Sequence, residues 1–367
     1  MNRPIFVVGS PRSGTSILTW CLGQHPNIIP LEESDWMGDL AIRLAIYYEL
    51  GTSRGDYSLL SSMDVKNAEF FEVFGKTVND LILHHHVDLD RKRWRQAAGP
   101  SAPEEHFHTD FRPKQRWVDG TPEYSFHISG LRKLFPEALF IHVFRDVTSV
   151  VRSMLHFHHV GGGSLVANEQ EAYGYWLRTV SSCLLAERAY GPDVVFRLRH
   201  SDLVMNPEAA LRRLFSFLLE PYVPKCLAPL AQRINSSNVP ADFEIDLRNV
   251  DPALIEQAAQ VCQQVKESSQ PAAACSAAVQ EIEAAFDERV EFAATLVGKY
   301  RKALQKIAVL KEKYQNVTVR TDTLAKQARE KKAIIRRLRD AGHYKWLRSS
   351  LRTWHEALRR SARQDEN

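Results

Sequence analysis

Pro4-Ile-Phe-Val-Val-Gly-Ser-Pro-Arg-Ser-Gly-Thr-Ser-Ile-Leu-Thr19 is the stretch from which the fold of this 367-residue chain can be read. Ile5 to Val8 has the length and β-branched content of a buried strand, and Ile17, Leu18 and Cys21 then recur at helical spacing. Between them, Gly9-Ser-Pro-Arg-Ser-Gly14-Thr-Ser16 has the spacing of a phosphate loop, G-x-x-x-x-G-K-[ST]. Thr15 occupies the lysine position, and the cation is Arg12, inside the loop. A strand, a glycine-bounded turn and a helix start make an anion cradle, because unpaired backbone N–H groups converge where the helix dipole is positive. The missing lysine argues against an ordinary nucleotide triphosphatase. A tight turn with no ligand is the plainer reading, but a guanidinium and three hydroxyls (Arg12, Ser13, Thr15, Ser16) cluster where only a turn is needed.

A second segment reinforces the first. Leu139 to Phe144 reads as another buried strand, Arg145-Asp146 stands where it would emerge, and the following helix carries Ser149, Arg152 and Ser153. In an open parallel sheet, ligands bind beyond the carboxyl ends of strands, so two strand-end anion sites can face one ligand. The expected fold is α/β: a three-layer parallel sheet with a P-loop-like strand-loop-helix, followed by a long C-terminal coiled-coil helix.

The pairing of G-x-P-R-S-G-T-S with a strand ending in Arg-Asp, and a serine eight residues past that arginine, resembles the sulfotransferases that use 3′-phosphoadenosine 5′-phosphosulfate (PAPS) as donor. The resemblance spans roughly residues 4 to 240. It implies that Arg12, Ser13, Gly14, Thr15 and Ser16 hold the 5′-phosphosulfate, and that Arg145 and Ser153 bind the 3′-phosphate. Many members keep an acidic general base after the first helix, where this chain has Pro30-Leu-Glu-Glu-Ser-Asp-Trp36. In the tyrosylprotein sulfotransferases the base is the second acid of a Glu-Glu pair, at the offset that Glu33 has from Arg12. The resemblance therefore favours Glu33 over Glu32, with both open as candidates. Ile234 to Asn238 resembles a segment that closes over the donor.

Two departures stand out. Many members carry a lysine just before a Thr-Pro pair, where this chain has Asp119-Gly120; Lys114 or Arg116 are candidates to replace it. Some relatives place a second arginine four residues after the 3′-phosphate serine, and here that residue is Phe157, with Arg152 a candidate substitute. The expected reaction is in-line transfer of a sulfuryl group to an acceptor hydroxyl, on a saccharide, a glycolipid or a similar molecule. Arg12 and the loop amides would stabilise the leaving phosphate and Glu33 would take the hydroxyl proton. No metal is expected. The alternatives are a P-loop kinase, which Thr15 disfavours, and a catalytically inactive nucleotide-binding assembly module, which Asp119-Gly120 keeps open.

Composition agrees with an enzyme of one large domain plus an appendage. The first strand starts within five residues, so no signal peptide or anchor is expected before it, and no run approaches the ~18 apolar residues that span a bilayer. Five scattered cysteines without C-x-x-C spacing read as reduced thiols, and a cytoplasmic location is expected. Residues 35 to 116 read as an insertion of mixed helices that builds the acceptor pocket. Trp36, Trp117, Tyr124 and Trp176 are candidates for stacking on the acceptor or, more commonly, for the core.

The chain divides by pattern into a catalytic domain (1–250), a helical connector (251–278), a coiled coil (279–340) and a basic amphipathic tail (341–367). From about Val279 apolar residues alternate in steps of three and four through Ile307, Leu310, Tyr314, Val317, Leu324, Ile335 and Leu338. Sixty residues at ~1.5 Å each make a helix about 90 Å long, and its 3.5-residue period predicts a coiled coil, a homodimer being the favoured outcome and antiparallel folding back on the enzyme the alternative. Residues 331 to 363 hold eleven Lys or Arg against Asp340 and Glu356, net +9 in a chain of net +4. Leu347, Leu351, Trp354 and Leu358 line one face of that tail, a pattern suited to peripheral contact at an anionic inner membrane surface and equally to an acidic polymer, a nucleic acid or the end of the coiled coil.

Overall fold

The computed structural model describes residues 3–98, 114–158, 163–231, 239–268, 273–340 and 343–362. Segment 234–238, expected to close over a donor, lies outside these residues. The chain divides into two compact units, Met1–Ala294 and Thr295–Asn367.

Five parallel strands build the sheet of the first unit: β1 (Ile5–Val8), β2 (Ile28–Pro30), β3 (Arg116–Asp119), β4 (Leu139–Phe144) and β5 (Val195–Arg199). Their order is β2-β3-β1-β4-β5, with Ile5 level with both Val118 and Leu139. The chain leaves β1 toward one edge and returns to its other side at β4. The topological switch point therefore lies between the carboxyl ends of β1 and β4, where a ligand crevice opens in sheets of this kind.

Alternation along β1 explains the layers. Ile5 and Val7 face helices α1 (Thr15–Gly23) and α10 (Pro207–Leu218), through Leu18, Leu22, Leu211, Leu214 and Phe215. Phe6 and Val8 face the opposite layer, where α2 (Trp36–Thr52), α4 (Asn67–His84) and α6 (Ile128–Leu134) pack around Phe71, Trp117 and Phe140. The short α3 (Leu59–Ser62) and α5 (His86–Ala98) complete the insertion. A third cluster joins α7 (Val147–Leu155), α8 (Glu169–Tyr190) and α11 (Pro252–Glu267). Helix starts follow local chemistry: Asn168, Asn206 and Asp251 each accept a backbone N–H from the first turn, and Pro207 and Pro252 follow two of them. The six-residue helix α9 (His200–Met205) follows directly from β5.

Helix α12 (Ser276–Asp340) is 65 residues long. Within the first unit, its Ile282, Phe286 and Val290 are buried in the same cluster as Trp117 and Phe140. The heptad stripe expected from Val279 thus begins on a face that the first unit itself covers. In the second unit α12 is exposed, and α13 (His343–Ala362) is a helix of its own. No described helix is long and apolar enough to cross a membrane.

Candidate active site

The phosphate-like loop forms where β1 ends. Gly9 has φ 147° and Gly14 has φ 106°, conformations that a Cβ would strain, while Arg12 takes the left-handed region at φ 70°. The Gly9 N–H donates to Ser125 Oγ at 2.8 Å, and the Ser13 N–H closes a turn onto Ser10 at 3.0 Å. Gly14 occupies the N-cap of α1 and no side chain caps that helix, so its first-turn N–H groups remain available at the positive end of the dipole.

All five strand ends contribute to the same region. From β4, Arg145 donates through Nη1 to the Arg12 carbonyl at 2.9 Å, and its own carbonyl accepts from Trp176 Nε1 at 3.1 Å. From α7, whose N-terminus Asp146 caps, Ser153 Oγ accepts from Arg12 Nε at 3.2 Å. Arg12, Arg145 and Ser153, drawn from two distant segments, therefore form one cluster. Arg12 and Arg145 are both pulled below the ordinary guanidinium value by burial, and Arg12 further by Arg145. Two guanidiniums so placed are relieved by a bound anion.

Phe157 occupies the second-arginine position and lies beneath the Arg12 guanidinium, 4.9 Å from ring centre to carbon. It gives Arg12 an aromatic face. Arg152, the candidate substitute, instead donates to the Pro240 and Ala241 carbonyls at 2.7 and 3.2 Å.

The opposite wall is acidic. Glu33, on the segment after β2, accepts from Ser16 Oγ at 2.8 Å, which ties it to the loop helix. Glu32 turns away to Arg93 of α5, 3.2 Å distant. Although Glu33 keeps a solvent-facing edge, the protein around its carboxyl raises it above the ordinary glutamate value. The Ser16 hydrogen bond opposes that rise, Glu123 adds to it, and Arg12 opposes it more weakly. Asp35 stands beside it at φ 50°, pushed up to about 6 by burial and by Glu123. Tyr175 Oη donates to Glu123 at 3.3 Å.

The Asp119-Gly120 departure has a structural cause. Asp119 is buried, and its Oδ1 accepts both the Thr121 N–H at 2.9 Å and the Thr121 hydroxyl at 2.7 Å. Thr121 Oγ1 in turn accepts the Ser34 N–H at 3.0 Å, pinning the segment that carries Glu33. Burial pushes the Asp119 carboxyl up to about 6, with Glu33 and Asp35 adding to the effect. A Cβ on Gly120 would lie 2.0 Å from Thr19 Oγ1, so no lysine side chain can start there while α1 keeps its place. The two candidate replacements are elsewhere: Arg116 is at the amino end of β3, bonded to Leu218 O and Glu220, and Lys114 pairs with Asp90.

Of the aromatic candidates, Trp117, Tyr124 and Trp176 are core, and Trp36, following the Glu33 segment, is exposed. Four cysteines are buried, and Cys275 is exposed. Among the described residues, no group of three His, Cys, Asp or Glu is placed to hold a metal ion. One neighbour went unassigned in the sequence: His200, at the end of β5, lies against Gly14 and is pushed down to about 4 by burial and by Arg145. Its position after a strand in a parallel sheet was the available signal.

A family model described as the sulfotransferase family matches residues 4–224, more than half of the chain. The chain belongs to this family. An omega-hydroxy-beta-dihydromenaquinone-9 sulfotransferase, Stf3, of Mycobacterium tuberculosis (strain CDC 1551 / Oshkosh) is 30% identical over 132 residues, 33% of this chain and 34% of that protein. The chain thus spans about a third of the length of the mycobacterial relatives it matches. A putative protein-tyrosine sulfotransferase of Caenorhabditis briggsae is 21% identical over 214 residues, covering 58% of this chain and 64% of that one. Among solved structures, sulfotransferase STF9 from Mycobacterium avium aligns with a TM-score of 0.40 at 17% identity, over 75% of this chain and 79% of that chain. The sulfotransferase domain of the Synechococcus PCC 7002 olefin synthase aligns at 0.39 and 20%, over 77% and 94%.

Proposed function

We propose that this sulfotransferase takes its sulfuryl group from PAPS and delivers it to a hydroxyl of a saccharide or lipid-linked acceptor, with Glu33 as general base. The observation that carries the reading is the polarity of the crevice. Cations (Arg12, Arg145) stand on its α7 side and acids (Glu33, Asp35, Glu123) on its β2–β3 side with Asp119 buried beneath them, and Ser16 at the start of α1 donates to Glu33. In this reading Arg145 and Ser153 hold the 3′-phosphate of the donor, and Arg12, whose Nε donates to Ser153, reaches the 5′-phosphosulfate. Ser13, Gly14, Thr15 and Ser16, at the start of α1, present N–H groups and hydroxyls to the 5′-phosphosulfate. Charge grows on the leaving phosphate oxygen during transfer, and preorganised donors on the cationic side stabilise it. The acceptor proton passes to Glu33, whose raised carboxyl value makes it a better base than an ordinary glutamate.

A lipid-linked acceptor is supported by α13, where Trp346, Leu347, Leu351 and Trp354 are exposed beside Lys345, Arg348 and Arg352. Such a helix suits an anionic membrane surface, where acceptors of that kind reside. The curated mycobacterial relatives are named for a hydroxylated menaquinone.

Calorimetric titration tests the donor assignment. Magnesium-independent binding of 3′-phosphoadenosine 5′-phosphate, tighter than that of ATP with magnesium, is expected. A preference for magnesium ATP, or no binding of the bisphosphate, would return the site to a kinase or an assembly module.

A further inference from the structure

In the second unit, α12 carries a narrow apolar stripe of exposed residues. Ile307, Leu310, Tyr314, Val317, Leu324 and Leu338 are each between 47 and 75% exposed. Their alternation of three and four residues is the 3.5-residue period of a coiled-coil seam. The stripe is too narrow for a lipid surface, which takes a broad apolar face, because Lys306, Lys311 and Lys313 border it directly.

Those borders decide what can cover it. With Ile307 and Ile335 at a, and Leu310, Leu324 and Leu338 at d, the charged e and g positions are Lys306, Lys311, Lys313, Arg320, Lys332 and Arg339. Thr318, Ala325, Gln327 and Ile334 fill the others, and Lys331 falls on the seam itself at d. The acids of the same stretch, Glu312, Asp322, Glu330 and Asp340, all fall at b, c or f, away from the seam. In a parallel pair of identical chains, each g faces e of the next heptad, which brings Lys306 onto Lys311. In an antiparallel pair g faces g and e faces e, again like against like. Neither orientation forms one opposite-charge pair along the seam, and like charges at these positions select against a partner.

We propose that the α12 seam pairs with a helix of a different protein, apolar at its own a and d positions and acidic at e and g. Heptads alone point to a homodimer; the flanking charges replace it with a heterotypic coiled coil. The proposal rests on α12 and stands apart from the sulfotransferase chemistry.

The test uses the full chain and a synthetic acidic helix of ~35 residues, with Ile and Leu at a and d and Glu at every e and g. By fluorescence anisotropy the peptide is expected to bind at least about tenfold more weakly in ~0.5 M than in ~0.05 M salt. Binding should be lost in the double variant Leu310→Asp/Leu324→Asp, which leaves the basic α13 untouched. Light scattering should show no seam-dependent self-association of the wild type in low salt. The triple variant Lys311→Glu/Thr318→Glu/Ala325→Glu sets an acid against Lys306, Lys313 and Arg320 of a second copy, and should dimerise. Three results would overturn the proposal. They are a low-salt wild-type dimer that Leu310→Asp/Leu324→Asp dissolves, peptide binding that survives those substitutions, and binding to phosphatidylglycerol vesicles that they abolish.

Discussion

Replacing Arg145 by alanine measures what the cation cluster contributes to donor recognition. Arg145 is half-buried at the end of β4, and one of its donors is already committed to the Arg12 carbonyl. Its remaining donors would make two charge-assisted hydrogen bonds to a phosphate, each worth about 1.5–3 kcal/mol. The crevice is open to solvent, so the low end applies, about 3–4 kcal/mol in total. At ~1.4 kcal/mol per tenfold, the bisphosphate should bind about 10²–10³-fold more weakly. Arg145→Lys keeps the charge but loses the planar fork, and should cost about tenfold. Loosening of the loop through the lost Arg12 bond would also weaken binding, so the assay needs a comparison ligand. Calorimetric titration of 3′-phosphoadenosine 5′-phosphate beside adenosine 5′-phosphate supplies it, with thermal melts confirming that the variants fold. The wild type should prefer the bisphosphate strongly, and Arg145→Ala should erase that preference. Equal losses for both nucleotides, or a loss under about threefold, would remove Arg145 from the 3′-phosphate site.

Glu33→Gln should lower turnover about 10²–10⁴-fold while leaving bisphosphate affinity unchanged, whereas Glu32→Gln, whose carboxylate faces Arg93, should change turnover little. A base must be ionised to act, and Glu33 is raised, so activity should fall on the acid side at a pH above the ordinary glutamate range. Glu123→Gln removes one cause of that rise and should move the acid limb to lower pH; an unmoved limb would refute the coupling. Asp119, normally near 3.8 and here about 6, binds its proton more tightly when folded, so its ionisation destabilises the fold as pH rises through that window. The rise from 3.8 to about 6 corresponds to about 3 kcal/mol in all, roughly half of it accruing between pH ~5 and pH ~8, so denaturant titrations should find Asp119→Asn more favourable relative to wild type at pH ~8 than at pH ~5 by about 1.5 kcal/mol. Gly120→Ala should destabilise by about 1–3 kcal/mol through its clash with Thr19, and less in a Thr19→Ala background; additive losses in that cycle would refute the contact.

Both candidate anion-binding segments were legible because each is local. A β-branched run, a turn and a helix start lie within a few residues at Gly9–Ser16, and again at Phe144–Ser153. Parallel-sheet logic then places the two strand ends side by side, and β1 and β4 are indeed neighbours. The insertion resisted reading because its helices are held by burial against β-strand residues far away in sequence, such as Phe71 against the cluster of Trp117 and Phe140. Glu33 was favoured over Glu32 only through the resemblance, since two adjacent acids after a strand say nothing about which one faces the loop helix. Ser16 and Arg93 decide that, and they come from different elements. His200 had a strand-end position as its one signal, but its approach to Gly14 is a tertiary contact that the local sequence does not encode.

Each of the two departures from the family pattern comes with contacts that brace a residue of the candidate site. A lysine before Thr-Pro would need room beside α1, and Thr19 fills that room. With glycine there, Asp119 turns inward and its carboxylate fixes Thr121, which fixes Ser34 and so the segment bearing Glu33. The β3 end has thus exchanged a cation aimed at the crevice for an anchor beneath its acidic wall. On the other wall, Phe157 leaves the second-arginine position without charge but lies under Arg12, whose Nε is held by Ser153. Each substitution removes a cation and gives rigidity to a residue that remains. If the site transfers a sulfuryl group, positive charge is concentrated on Arg12 and Arg145, and losing either should cost more here than in a site where a lysine and a second arginine share the load.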